Sequence, residues 1–195
     1  MRKKIINVLK CRLIYRKIRR LESKCSIKIV REKLDRTKAL FIFMDESTKI
    51  QTIGEIEGEL IALAFEYAKE YRLPVITYVS SAGMRINEGV VALMQMAKMT
   101  VAIEEHNNCG LLYISVISKD TLGGTSASLV SLADIVIAKR TAKFGFTGKK
   151  IILETIPKNL PVDFQSAEYS QRYGMVDIVA DDSEIEGILS VLLKS

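Results

Sequence analysis

An α/β fold built from parallel βαβ units is what this sequence predicts, and three observations predict it. Of the 195 residues 48% are hydrophobic and 27% charged, enough apolar material for one domain-sized core. From residue 38 onward, short β-prone apolar runs alternate with stretches of helical period, which implies parallel strands joined by right-handed crossovers. Two of those runs pass directly into small residues and then a helix, as a parallel strand does when it hands over to its crossover.

The elements follow in order. Ile5, Val8, Leu9, Leu13, Ile14, Ile18 and Leu21 recur at near-helical spacing within a lysine- and arginine-rich stretch, predicting a basic amphipathic helix in a 1–37 arm. The second unit, 38–195, opens on the apolar run Ala39 to Met44. Thr52 and Glu55 have capping-box spacing, and the helix they would open carries Ile56, Leu60, Leu63, Tyr67 and Tyr71 on one face, ending before Pro74. Pro74 to Ser80 reads as a buried strand. A helix follows with Val90, Leu93, Met94 and Ala97 on one side. Leu111 to Ser118 is the next strand, Thr125 to Leu132 a short helix, and Asp134 to Ala138 another strand. A helical stretch from about Lys150, a loop from Pro157 to Pro161, and helices near 166–173 and 183–194 around the strand-like Val176 to Ala180 complete the chain.

Charge is unevenly placed. Residues 1–38 hold fifteen Lys/Arg and three Asp/Glu, a net +12, whereas the remainder stands at −6. Such an arm suits an acidic carrier protein, coenzyme phosphates, or a nucleic-acid or membrane surface; its bland reading is a helix docked by its apolar stripe with a solvated basic face. No apolar run reaches the ~18 residues that span a bilayer, and Ile5 to Leu9 is too short for a secretory signal. Cys11, Cys25 and Cys109 stand far apart without a CxxC pair, which argues against a disulfide framework, a four-cysteine zinc site or any metal in this chain. The expected setting is a cytoplasmic protein.

The chemistry concentrates in the two strand-to-helix turns, Ser80 to Arg85 and Thr121 to Ser128. Free amides at such turns favour an anion or a developing oxyanion, and glycine lets a ligand approach the backbone. Neither turn is a phosphate loop, since GxxxxGK[ST] and GxGxxG are both absent. His106, the single histidine, lies in the polar segment Glu104 to Asn108 and reads as a surface residue. Ser126 and Ser128 lack a histidine partner for a Ser–His–Asp mechanism. Backbone donors rather than acid/base side chains are therefore expected to carry any reaction.

Residues 39–180 resemble the catalytic core of the carboxyltransferase β subunits of bacterial acetyl-CoA carboxylases, within the crotonase-like superfamily. Thr52 to Glu59 matches the pattern G-S-M-G-S-V-V-G-E, keeping both later glycines, Gly54 and Gly58, and the final Glu. Ser81 to Gly89 matches S-G-G-A-R-M-Q-E-G, and Leu93 to Lys98 matches L-M-Q-M-A-K residue for residue. Leu122 to Ser128 followed by Gly145 to Gly148 resembles M-G-G-V-S-A-S followed by G-F-A-G. Three departures accompany these matches: no zinc ribbon precedes the core, Ala82 replaces the first glycine of S-G-G-A-R, and Glu57 stands at an apolar position.

The resemblance implies a ClpP/crotonase-like spiral of ββα units whose site holds an acyl thioester. Ala82 and Gly83 would supply backbone oxyanion donors, while Gly123, Gly124 and Gly54 would line the substrate. The implied activity is carboxyl transfer from carboxybiotin, brought by a carrier protein, to acetyl-CoA, giving malonyl-CoA for fatty-acid or polyketide-type metabolism. Two alternatives share that site: a biotin-independent decarboxylase of a malonyl thioester such as malonyl-CoA, and a non-catalytic acyl-CoA-binding paralogue. The partners implied are a second copy of the chain or an α-type carboxyltransferase subunit, with a biotin carrier or acyl carrier protein; neither membrane insertion nor nucleic-acid binding is expected.

Overall fold

The computed structural model describes residues 2–44, 51–156 and 159–194. Chain order is α1 (Arg2–Glu22), β1 (Ile27–Leu34), β2 (Thr37–Met44), α2 (Glu55–Tyr71), β3 (Val75–Ser81), α3 (Val90–Asn107), β4 (Tyr113–Thr121), α4 (Gly124–Ser128), β5 (Ile135–Lys139), α5 (Lys149–Thr155), α6 (Ala167–Arg172), β6 (Ile178–Ala180) and α7 (Asp182–Leu192). One six-stranded sheet takes the strands in sequence order, with β1 antiparallel to β2 and every other pair parallel. Because successive parallel strands advance in one direction, right-handed crossovers place their helices on the same face, and the chain winds as a spiral.

Strand alternation sorts the core into two layers. Leu40, Ile42, Val75, Val79, Tyr113 and Ile117 face α1, α2 and α3. Their neighbours Phe41, Ile76, Ile114, Val116 and Ile137 face the opposite side, where Ile185 and Leu189 of α7 cover them. On the first side Tyr113 is fully buried with its hydroxyl donating to Leu129 O at 3.2 Å; burial pushes that phenol far above its usual range, so it stays a neutral donor.

A boundary at 37/38 cuts the first hairpin, since Leu34 pairs with Thr37 across the two-residue turn Asp35-Arg36. Ile27 and Ile29 alternate inward from β1, and Ile14 and Ile18 of α1 are buried in the same cluster. The side chains of Ile5, Val8 and Leu9 lie outside the described residues, as do Pro157 and Lys158 of the proline-bounded loop.

Two further expectations are corrected, and the exposed side of α3 is placed. Helix α2 begins at Glu55 with Gly54 as its N-cap, so Thr52 and Glu55 form no box; instead the Glu57 carboxylate accepts the Gly54 N–H at 3.0 Å. His106 is fully buried, with Nε2 2.9 Å from Leu73 O and its ring edge-on to Phe65. The stripe Val90, Leu93, Met94 and Ala97 faces solvent, and α3 packs on α2 through Ala92, Met99, Ala102, Ile103 and His106 instead.

Candidate active site

Two turns meet at the carboxyl ends of neighbouring parallel strands, the usual place for a ligand crevice in an open α/β sheet. The last residues of β3 and β4, Ser81 and Thr121, are register partners. Beyond them Gly83 takes φ +114 and Gly123 φ +68, a region in which glycine meets no penalty. The backbones then touch: a Cβ on Gly83 would lie 3.3 Å from Gly123 Cα, and one on Gly123 would lie 3.1 Å from Ala82 O and Gly83 Cα. Leu122 N–H donates to Ser81 O at 2.8 Å and seals this seam.

The amides of Ala82 and Gly83, expected as donors, and of Gly123 and Gly124, expected to line the substrate, are not equivalent. Ala82 N–H donates to Gln51 O at 2.8 Å, and Gly123 N–H to Phe146 O at 2.7 Å; both are held by peptide carbonyls. Gly83 N–H donates to a side chain, Ser81 Oγ, at 3.1 Å, and Ser81 Oγ shares a 2.8 Å hydrogen bond with Thr125 Oγ1. Gly124 N–H has no acceptor among the described residues, as befits the first turn of a helix. A hydroxyl can turn away about χ1 where a carbonyl cannot, so an incoming oxygen can displace Ser81 from Gly83 without moving the backbone. The Ser81–Thr125 hydroxyl pair was not singled out in the sequence; its signal is the Ser-x-Gly spacing of a side-chain turn.

Gly124 abuts two methionines, for a Cβ there would fall 2.7 Å from Met84 Cγ and 2.8 Å from Met96 Sδ. Those unbranched side chains can repack to admit an acyl group. Beside α4 a cavity of about 490 Å³ is lined by Ser126, Phe144, Phe146 and Met175 together with Asp134 and Asp177. Ser126 Oγ donates to Gly145 O at 2.7 Å, tying that wall to the seam.

Gly54 stands apart from the seam, beneath an ionic clamp. A Cβ on it would lie 2.4 Å from Glu88 Oε1 and 2.6 Å from Arg85 Nη1. Arg85 pairs with Glu57 at 2.6 Å and Glu88 at 2.7 Å, and donates to Thr52 O at 3.0 Å. Glu88 Oε2 accepts the Glu55 N–H at 2.6 Å. The structure thereby explains Glu57 at a position where the family pattern is apolar. The Glu55 amide, then Arg85, holds the Glu88 carboxyl below its usual range, so the clamp is present at neutral pH and is lost on acidification through that lowered value. Its function is positional: Ile53 N–H donates to Gly83 O at 2.9 Å and Arg85 N–H to Ile53 O at 2.8 Å, which pins the Gly83 turn to the start of α2.

Histidine does not reach the seam, since His106 is engaged with Leu73 at the far end of α3. Among the described residues no group of three His, Cys, Asp or Glu could hold a metal ion, and no helix is long and apolar enough to cross a membrane. What the arrangement offers is a pair of backbone donors able to stabilise negative charge on an oxygen.

Residues 37–184 match the family model described as the carboxyl transferase domain. Among solved structures, the hetero-dimer of a Pseudomonas malonate decarboxylase superposes with a TM-score of 0.77 at 21% identity, covering 87% of this chain and 76% of that one. The transcarboxylase 12S hexamer core with hydrolysed methylmalonyl-coenzyme A bound gives 0.78 at 23%, covering 86% of this chain and 33% of that one. The Pseudomonas malonate decarboxylase hetero-tetramer in complex with coenzyme A gives 0.71 at 14%, covering 87% and 78%. At these identities the likeness establishes the shared fold.

Proposed function

The chain belongs to the carboxyl transferase domain family, and on that premise we propose that it is a carboxyltransferase β-like subunit that stabilises an acyl-thioester enolate during carboxyl transfer to acetyl-CoA, with carboxybiotin on a cytoplasmic carrier protein as the carboxyl donor. One observation supports this reading above the rest: at the seam, Gly124 N–H is open and Gly83 N–H is held only by a hydroxyl. Loss of the α-proton leaves the thioester as an enolate with charge on its oxygen. Donation from Gly83 and Gly124 stabilises that oxyanion, and the carbanionic carbon attacks the carboxyl carbon of carboxybiotin; the new C–C bond gives the malonyl product as the biotin N–C bond breaks, and the freed biotin nitrogen takes up the proton lost from the α-carbon. Gly123 lets the two turns approach closely enough for both amides to serve one oxygen.

A second reading uses the same donors. Loss of CO₂ from a malonyl thioester leaves the identical enolate, which takes a proton from water. The malonate decarboxylase and transcarboxylase neighbours share this fold, which supports both readings alike. Incubation of the purified chain with malonyl-CoA separates the readings. Acetyl-CoA released by the chain alone identifies the decarboxylase. Turnover that appears only with an α-type subunit and a carboxybiotin carrier identifies the transferase. Binding without turnover in either mixture identifies the non-catalytic paralogue.

The transferase needs a second half, and α3 presents a surface for one. Leu93 and Met94 are 57% and 59% exposed, aligned with Val90, Ala97 and Val101 at i, i+3, i+4, i+7 and i+11, with Ile86 just before the helix. A contiguous apolar stripe of that length is an association surface, and the Pseudomonas malonate decarboxylase neighbour is itself a hetero-dimer. We expect light scattering to show an oligomer, of this chain or with an α-type subunit. Leu93→Glu with Met94→Glu should yield a folded 21.9 kDa monomer with unchanged melting temperature, because neither side chain belongs to the core. Assembly that survives both substitutions would place the interface elsewhere.

A further inference from the structure

The end of the sheet remote from the seam carries a cavity of a different chemistry. Between α1, the β1–β2 hairpin and α2 lies a space of about 540 Å³ whose lining includes Tyr15, Arg19, Lys28, Arg31 and Tyr67. It adjoins a smaller one of about 220 Å³ that shares Tyr15 and Tyr67 and adds Arg12, Arg16 and Tyr71. Leu40 in its wall pairs with Val75, the first residue of β3, whereas the seam follows Ser81, the last. The lining runs from Lys28, level with Tyr78, to Leu40, level with Val75, so three to six strand residues, roughly 10–20 Å at the usual rise, separate it from the seam.

Three properties of this groove point to one class of ligand. Its rim is cationic: Arg19 and Arg31 outnumber the single carboxylate, Glu22, which already accepts the Ile29 N–H at 2.6 Å and pairs with Arg19 at 3.0 Å. Its wall is aromatic, with Tyr15 and Tyr67 centroids 6.1 Å apart and Tyr67 and Tyr71 4.5 Å apart. The guanidinium groups are held ready on those rings: Arg19 lies 5.2 Å from the Tyr15 centroid and Arg31 4.8 Å from that of Tyr71. A flat ring can stack on such a wall while a charged tail meets arginine forks, and the volume is that of a small-molecule pocket. The net +12 of residues 1–38 against −6 for the rest would steer an anion to this end of the molecule.

We infer that this groove is a binding site for a nucleotide, with the base on the Tyr15–Tyr67–Tyr71 wall and the phosphates on Arg19 and Arg31. The site is separate from the seam and stands whether or not the thioester reading does. The chain has no tryptophan and seven tyrosines, so its intrinsic emission reports directly on a ligand stacked at three of them. Titrating the full chain with ADP should quench tyrosine fluorescence with a Kd below about 1 mM, weakening at least tenfold between 50 and 300 mM salt. Arg31→Ala combined with Arg19→Ala should weaken ADP at least tenfold while the melting temperature holds, since both side chains are exposed. Arg31→Lys should retain an intermediate affinity. ADP affinity unchanged in the double variant would overturn the assignment. So would pyrophosphate binding as tightly as ADP, which leaves the aromatic wall unused, or a single-stranded oligonucleotide binding a hundredfold tighter than ADP, which would make the groove a nucleic-acid track.

Discussion

Gly83→Val should lower thioester turnover by about a hundredfold or more, the usual consequence of removing one oxyanion donor. The expectation is geometric. At φ +114 a side chain is strained, and its first carbon would stand 3.3 Å from Gly123 Cα and 3.4 Å from Gly124 N and Leu122 O. The branched valine therefore wedges apart the two turns that have to share one substrate oxygen. Ser81→Ala provides the comparison. It removes the hydroxyl that now occupies Gly83 N–H, frees that donor, and loses the 2.8 Å contact with Thr125, so it should cost about 1 kcal/mol of stability while leaving turnover within a few-fold of the parent. Malonyl-CoA turnover and thermal melting, run on both variants, check the pair of outcomes. Equal turnover in Gly83→Val and the parent, with both folded, would remove the seam from the mechanism; equal losses in the two variants would make the turn a packing feature.

The seam was legible because its chemistry is backbone chemistry. Small residues between a strand and a helix announce a close approach, and the Ala82-Gly83 and Gly123-Gly124 turns do abut. Which amides are open was not legible, since the acceptors Gln51 O, Phe146 O and Ser81 Oγ arrive from three separate segments. Gly54 illustrates the same limit. A glycine in a motif marks crowding without naming the intruder, here the Arg85–Glu88 pair rather than a substrate. In α3 the period alone does not tell inside from outside because the helix is apolar on two sides: Val90, Leu93 and Met94 form as regular a stripe as Met99, Ala102, Ile103 and His106, and only the position of α2 decides which is inside. His106 could have been placed, since it falls three residues after Ile103 and four after Ala102 on the buried stripe; its polar flanks pointed the other way. Strand β1 was hidden by its charge. Its outward residues include Lys28, Arg31, Glu32 and Lys33, the usual protection of an edge strand, and they made a paired strand read as part of a solvated arm.

Deletion of residues 1–37 is expected to prevent cooperative folding, the opposite of what a detachable arm would do. Ile14 and Ile18 of α1 and Ile27 and Ile29 of β1 are each buried to within a tenth of complete and belong to the same cluster as Leu40, Ile42 and Leu60. Burying an isoleucine side chain contributes about 1.5–3 kcal/mol, so the four together contribute roughly 6–12 kcal/mol as an upper range. A whole domain of this kind is stable by about 5–15 kcal/mol. Deletion also removes Thr37, strips the antiparallel partner from the seven remaining residues of β2 and leaves Leu40 and Ile42 without their cover on one side. Salt links from α1 are minor beside this: Lys17 pairs with Glu59, but the lysine is exposed, and such pairs are worth little. Circular dichroism and a thermal melt of residues 38–195 should show a non-cooperative, aggregation-prone chain. The point variant Ile18→Ala in the full chain should lose about 2–4 kcal/mol on the same grounds. A truncated chain melting cooperatively within a few degrees of the parent would show that α1 and β1 are carried by the core rather than part of it.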